Sequence, residues 1–417
     1  MADQEFQKPT GTQDIFDKKQ RYFNKIYEVS RDIAYQYNFE TIETPIMEKE
    51  ALFKRSVGES TDIVQKEMYV FETKGGDRLA LRPEGTAPIV RSYIENDFYK
   101  KPQPVKFYYC GPFFRYERPQ KGRYRQFHQF GLEVLGKDSP ALDSQLIRAF
   151  YQTFEELGLE VTFKVNSLGD DSCRPDYKEQ LKESLEPDLE DLCKNCQERF
   201  ENNPLRILDC KNEECQEITE NVPQIVDHLC KSCKKKFKSV LELLDEMEIP
   251  YELDPFLVRG LDYYTNTVFE IFAGKGPALG GGGRYDKLVE LLGGRETPAC
   301  GGAVGVERTV DAMREADIDV TEKRKKVFLA QLGNSAKKKA FELFEDFRKE
   351  GIPVYESMGR DSLKSQMARA DKLGAEYTLI LGRQECIKGQ IIIREMKSGK
   401  QETVPLDKVV KKIKKKI

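Results

Sequence analysis

Apolar residues Phe23, Ile26, Ile33 and Tyr37 recur at helical spacing between residues 18 and 38, after which the chain runs extended to Pro45. This pattern predicts a helix feeding a strand. Short alternating stretches at 68–72 and 78–82 flank the turn Lys74-Gly-Gly-Asp77, and 105–109 reads as a further strand. Two more strands flank a loop at 118–125, followed by a helix near 142–157 and a strand at 161–166. Sheet-like sequence returns at 251–272 and continues through Gly280-Gly-Gly-Gly-Arg-Tyr-Asp286 to a short helix. A glycine-rich strand at 298–305 then leads into a helix opened by Val306-Glu-Arg308. Strands joined by hairpins predict an antiparallel sheet.

Two other regions break this rhythm. Residues 171–250 are charged, helical and rich in cysteine, which reads as an insertion. From Val327 strands (327–332, 352–356, 377–381, 390–394) alternate with helices (337–350, 362–373, and a last one at Asp407), predicting a compact α/β domain with partly parallel strands. The expected organisation is an α+β core from 1–170 and 251–322 built on an antiparallel sheet, a helical cysteine-rich insertion at 171–250, and a C-terminal α/β domain at 327–417.

The chain has 417 residues, 39% hydrophobic and 10% aromatic, with a net charge of -3. These values fit an ordinary globular protein of two or three domains and exclude a disordered tail. The apolar runs are strand-sized and the N-terminus is charged where a signal peptide needs an apolar stretch, so no membrane association and a cytoplasmic location are expected. Without a global positive field, any RNA contact must use local patches, namely Arg118, Lys121, Arg123 and Arg125 in one loop, residues 323–326, and the lysines of 408–416. Each of these runs also suits a solvated surface.

Six of the ten cysteines fall between Cys193 and Cys233. The knuckles Cys193-x2-Cys196 and Cys230-x2-Cys233 have the spacing of a structural tetrathiolate zinc site, with Cys210 or Cys215 as substitutes. Cys110, Cys173, Cys300 and Cys386 read as small buried hydrophobes. His128 reads as a neutral core histidine facing away from Gln129, and His228 as a spare metal ligand.

The stretch 113–133 carries most of the chemistry. Arg115 and Glu117 at alternate positions of a strand would share a face, forming either a solvent-side ion pair or a site for an anion. An arginine fork can hold the α-phosphate of ATP and follow the charge that builds on it. Arg308, after a glycine strand that lets adenosine approach the backbone, could meet the γ-phosphate.

These stretches closely resemble histidyl-tRNA synthetases, class II aminoacyl-tRNA synthetases of subclass IIa. Phe114-Arg-Tyr-Glu117 looks like class motif 2, and Gly302-Ala-Val-Gly-Val-Glu-Arg308 like motif 3, with Ala303 in one glycine slot. The helix-to-strand stretch ending at Pro45 looks like motif 1, used in dimerisation. Leu257-Val-Arg-Gly-Leu-Asp-Tyr-Tyr264 and Gly281-Gly-Gly-Arg-Tyr-Asp286 match the two histidine-specific peptides. The likeness runs from Gly11-Thr-Gln-Asp-Ile-Phe16 through the C-terminal domain.

The resemblance implies a histidine--tRNA ligase that uses Mg2+-ATP to form histidyl adenylate and then charges tRNA-His, as a homodimer. By that resemblance Glu84, Thr86 and Gln129 hold the α-ammonium of histidine, and Glu133, Tyr263, Tyr264 and Tyr285 form the imidazole pocket. As neighbours in a strand, Tyr263 and Tyr264 would point to opposite faces. Arg115 clamps the α-phosphate and the carboxylate, Glu117 organises Mg2+ or the adenine end, and Arg123 and Arg308 complete the ATP site. Arg259 is the family's catalytic arginine. The Arg118–Arg125 loop meets the acceptor end of tRNA, the insertion closes over the acceptor arm, and Arg360 and Lys364 are expected anticodon contacts. The alternative is a synthetase-like regulatory paralogue of histidine biosynthesis; such proteins usually lack the C-terminal domain and part of the histidine peptides, both of which this chain keeps.

Overall fold

The computed structural model describes residues 6–58, 61–120, 122–321, 326–359 and 362–417. They form two compact units, 1–320 and 321–417. Among the described residues no helix is long and apolar enough to cross a membrane.

The first unit is organised by an eight-stranded sheet. Its strands are β1 (Glu40–Thr41), β2 (Val105–Phe114), β3 (Gln126–Leu135), β4 (Thr162–Ser167), β5 (Tyr251–Leu253), β6 (Thr265–Phe272), β7 (Gly280–Arg284) and β8 (Ala299–Gly305). They lie in the order β1-β2-β3-β8-β7-β6-β4-β5. The six central strands are antiparallel, and only the two edge pairings, β1 with β2 and β4 with β5, are parallel. The antiparallel expectation therefore holds where the site is built. A separate three-stranded sheet joins Met47–Lys49, Arg78–Leu81 and Val70–Glu72.

Helices cover one face of the large sheet. These are α1 (Asp17–Gln36), α3 (Pro140–Glu156), α4 (Lys231–Glu246) and α5 (Val306–Glu315), whereas α2 (Thr86–Glu95) lies on the opposite side. Helix α1 forms because Phe23, Ile26 and Ile33 make one apolar stripe, and it stops where Asn38 takes a left-handed conformation (φ 59°) that asparagine tolerates. The period-two pattern of β3 does the sorting. Phe130, Leu132 and Val134 enter the helical layer with Phe150 of α3 and Val310 of α5, so Gln129, Gly131 and Glu133 must face the other way.

His128 obeys the same rule. It lies on the helical side, its Nδ1 2.9 Å from Glu307 Oε1 and its ring edge-on to Phe23, as a core histidine should. Residues 171–250 are helical as expected, and α4 at their end packs Phe237, Val240 and Leu244 into the same core as α3.

In the second unit the strand order is Val354–Glu356, Val327–Gln331, Tyr377–Leu381, Gln390–Glu395, Gln401–Pro405. The first three are parallel and the last two antiparallel, with apolar clusters on both faces. Sequence periodicity missed the helix Arg383–Lys388 and the strand Gln401–Pro405, each too short to establish a period.

Arg284, in the second histidine-like peptide, is a buried structural link. Its side chain is 2% exposed, pairs with Asp143 of α3, lies 3.0 Å from Asp286 and donates to Lys137 O at 3.3 Å, stitching β7 to the helical layer. Replacing one partner leaves a buried charge uncompensated, a loss of about 3–5 kcal/mol. Arg284→Met should therefore lower stability in urea by that order, and adding Asp143→Leu should recover part of the loss. Additive losses in the double variant would show that the pair is not coupled.

Candidate active site

The cavity opens on the face of the sheet away from α1, α3 and α5. Its walls come from the start of α2, from β2, β3, β7 and β8, from the loop before β6 and from the first turn of α5. It gathers Glu84, Thr86, Arg115, Glu117, Arg123, Gln129, Arg259, Tyr263, Tyr264 and Arg308. Side chains spread over more than 220 positions of sequence thus meet because antiparallel neighbours bring their ends together.

Arg82-Pro-Glu-Gly-Thr86 turns the chain into α2. The Glu84 carboxylate accepts from the backbone N–H groups of Thr86 (2.7 Å) and Ala87 (2.9 Å), capping donors that the helix cannot satisfy itself. Burial pushes the Glu84 carboxyl up, and these backbone bonds pull it back. The Tyr263 hydroxyl lies 3.5 Å from the same carboxylate.

Glu133 and Tyr285 lie behind the cavity wall, both at 0% exposure. The Glu133 carboxyl accepts from Thr86 Oγ1 at 2.7 Å and from the Tyr285 hydroxyl. Burial pushes its pKa up to about 8 against the opposing pull of these bonds. Across the sheet it faces Gly301, where any Cβ would collide with the carboxylate. This close approach is the physical reason for glycine at that position.

Strand β2 ends at Phe114, so Arg115 and Glu117 lie just beyond it instead of alternating along it. Their proximity has another source. Arg115 Nε donates to Pro83 O at 2.9 Å and its guanidinium lies over the Phe127 ring, which leaves Nη1 3.8 Å from Glu117 Oε1. Arg123 Nη1 is 3.3 Å from Glu117 Oε2. Arg308 donates to Ala278 O at 2.6 Å; burial, then Arg123, holds its pKa down.

Tyr263 and Tyr264 are also outside a strand, in the turn before β6. They consequently both face the cavity, with ring centroids 4.7 Å apart, where a strand would have sent them to opposite sides. Arg259 pairs with Glu270 of β6, and its Nε has no hydrogen-bond partner among the described residues. Burial is the largest influence and disfavours its charge, but Glu270, Tyr264, Asp209 and Tyr263 together outweigh it and the net shift is upward. Gly281 on β7 makes room, since a Cβ there would come within 2.9 Å of the Arg259 guanidinium.

Of the cationic loop, Arg118 and Arg123 are exposed, whereas Arg125 folds back over the Tyr116 ring at 3.9 Å. Lys121, Arg360 and residues 323–325 lie outside the described residues. Glu270 and Tyr109 were not singled out from sequence. Tyr109 had a readable signal, because it shares a face of β2 with Phe107, opposite Tyr108, and its ring fills the space left by Gly85 and Gly131.

The four cysteines expected to form one zinc site are not brought together. Cys193 and Cys196 converge with Cys210 and Cys215, while Cys230 and Cys233 converge with Asp170 and Cys173. The knuckles open different helices, Lys194–Asn202 and α4, so each meets a different pair of further ligand atoms. Cys173 is thus part of a polar cluster and not an isolated hydrophobe. The His228 ring packs on Tyr177, and His228 belongs to neither group.

A family model described as Histidyl-tRNA synthetase matches residues 11–309, and one described as Anticodon binding domain matches 326–416. A Histidine--tRNA ligase of Desulfitobacterium hafniense is 47% identical over 406 residues, covering 96% of each chain. One of Thermodesulfovibrio yellowstonii is 46% identical over 410 residues, covering 97% of each. Among solved structures, apo S. aureus histidyl-tRNA synthetase matches with a TM-score of 0.82 at 36% identity, covering 98% of this chain and 99% of that one.

The raised pKa of Glu133 has a signed consequence. The folded state keeps this proton up to about pH 8, while the unfolded chain releases it near 4.3, so the group costs stability increasingly as pH rises between those values. The stability of Glu133→Gln relative to the parent should therefore increase from pH 5 to pH 8, by at most about 1.4 kcal/mol per pH unit, and then level off. Urea unfolding across pH measures it; a pH-independent difference would mean that Glu133 is already ionised in the folded protein.

Proposed function

Because the chain belongs to the histidyl-tRNA synthetase family, we propose that it ligates histidine to tRNA-His in two steps, with ATP as the Mg2+ complex. The observation that carries this reading is the convergence of Arg115, Arg259 and Arg308 with Glu84, Gln129, Tyr263 and Tyr264 in one cavity. The regulatory-paralogue alternative is not favoured: the full-length relatives are histidine--tRNA ligases and the anticodon-binding domain is present.

The α-ammonium of histidine goes to Glu84, Thr86 and Gln129, where the capping carboxylate supplies charge. Tyr263 and Tyr264 face the imidazole, with Glu133 and Tyr285 setting the polarity behind them. Both ring nitrogens need partners when buried, and leaving one unpaired costs about 1–3 kcal/mol, enough to sort histidine from an apolar ring. The substrate carboxylate is ionised at neutral pH, so it attacks the α-phosphorus without a general base. As the new P–O bond forms, the bond to the bridging oxygen breaks and pyrophosphate leaves. Arg115 and Arg259 stabilise the charge on the transferring phosphoryl group, and Arg123 and Arg308 hold the polyphosphate. Glu117, between Arg115 and Arg123, organises the metal or the adenine end. The terminal ribose hydroxyl of tRNA then attacks the adenylate carbonyl and AMP leaves.

Arg118, Lys121, Arg123 and Arg125 meet the acceptor end through phosphates. The 171–250 segment closes over the acceptor arm, and the C-terminal domain reads the anticodon. A cytoplasmic homodimer completes the proposal.

Two substitutions separate the steps. Arg259→Ala should lower histidine-dependent pyrophosphate exchange by about 100-fold or more, the scale of losing a preorganised cationic donor, while calorimetric histidine affinity changes far less. Unimpaired exchange would remove Arg259 from the chemistry. Arg118→Glu should raise the KM for tRNA several-fold in the charging assay and leave exchange unchanged; an unchanged tRNA KM would take the loop away from the acceptor end.

A further inference from the structure

We propose that the helical segment carries two separate structural zinc sites: Cys193, Cys196, Cys210 and Cys215 in its body, and Asp170, Cys173, Cys230 and Cys233 at its root. In each group the ligand atoms all lie within 4.8 Å of one another. The ligand–ligand edge of a tetrahedron with Zn–S bonds of about 2.3 Å is about 3.8 Å. Two of the edges are 3.9 Å, Cys193 Sγ to Cys210 Sγ in the body and Cys173 Sγ to Cys233 Sγ at the root. Asp170 Oδ1 lies 3.7 Å from Cys173 Sγ. These separations suit one ion per group and are too short for a bridged multi-iron cluster.

The surroundings are those of thiolate ligands. The Cys193 N–H points at Cys215 Sγ (3.2 Å), the Asn212 N–H at Cys210 Sγ (3.5 Å) and the Cys233 N–H at Cys230 Sγ (3.4 Å). Such N–H groups stabilise the negative sulfur and orient it. Ser172 donates to Asp170 Oδ1 at 2.5 Å and lies 3.5 Å from Cys230 Sγ, fixing two members of the root group at once. Soft thiolates select zinc over magnesium or calcium. Four protein ligands leave no open position, so both sites are structural, and each thiol releases its proton as the ion binds.

The root site has a mechanical meaning. Asp170 and Cys173 follow β4 immediately, and Cys230 caps α4, the helix that returns the chain to the core. One ion would join the entry and the exit of the segment across 60 positions of sequence. Between them, Arg206 donates to Arg259 O at 2.8 Å and Asn203 to Asp262 at 2.8 Å, so the segment also supports the loop that carries Arg259.

Metal content of the full chain, purified anaerobically after zinc-supplemented expression, tests the assignment independently of activity. Two equivalents of zinc per chain are expected, one lost in Cys196→Ser, one in Cys233→Ser, and both in the combined variant. Should Cys233→Ser not fold, Asp170→Asn keeps every thiol and should release one of the two equivalents at a chelator concentration about tenfold lower or less. Fewer than two equivalents in the parent protein, a content that neither cysteine substitution reduces, or identical chelator release from Asp170→Asn and the parent would overturn it.

Discussion

One buried carboxyl group sets the conditions for the whole cavity. Glu133 sits near the end of β3 at 0% exposure, where burial raises its pKa to about 8, and its partners are the first residue of α2 and the tyrosine that follows β7. A polar group so placed is tolerated only when its hydrogen bonds are made. Thr86 and Tyr285 are therefore fixed in position, and with them the start of α2, whose first N–H groups are held by Glu84. The glycines follow from the same requirement. Gly301 leaves space for the carboxylate, and Gly85 and Gly131 leave space for the Tyr109 ring. A pocket whose polar groups are held by one another needs little rearrangement to accept a polar ring, which is the condition for discriminating by hydrogen bonds.

How far the sequence revealed this depends on the range of the interaction. The alternation of Gln129, Gly131 and Glu133 against Phe130, Leu132 and Val134 is local, so the cavity-side face of β3 could be read directly, as could the placement of His128 on the opposite, helical side. The glycine strands could be read because closely approaching backbones exclude side chains. Strand ends could not. Arg115 and Glu117 lie past the end of β2, so they share the cavity as expected but not through strand alternation, whereas Tyr263 and Tyr264 precede β6 and escape the opposite faces that period-two reasoning gives them. Arg284 resembled its neighbours in a histidine-specific peptide, yet it is buried against Asp143. Only tertiary packing distinguishes it from Tyr285, one residue on.

The cysteines show the same limit more sharply. Two Cys-x2-Cys knuckles suggest one tetrathiolate by spacing, but spacing says nothing about which helix start each knuckle meets. Asp170 and Cys173, well before the run of six cysteines at 193–233, join Cys230 and Cys233, and the inner thiols form a group of their own. The helical segment is also tied to the active site, since Arg206 and Asn203 bond to the loop of Arg259 and Asp262. The segment proposed to close over the acceptor arm is thus tied directly to the loop of the arginine proposed to stabilise the transferring phosphoryl group.

The central claim is that this cavity selects histidine and activates it with ATP. ATP–pyrophosphate exchange, run on the folded protein with each of the twenty amino acids in turn, tests it most directly. Exchange with histidine alone is expected; exchange with a different amino acid, or none with any, would mean that the cavity does not activate histidine.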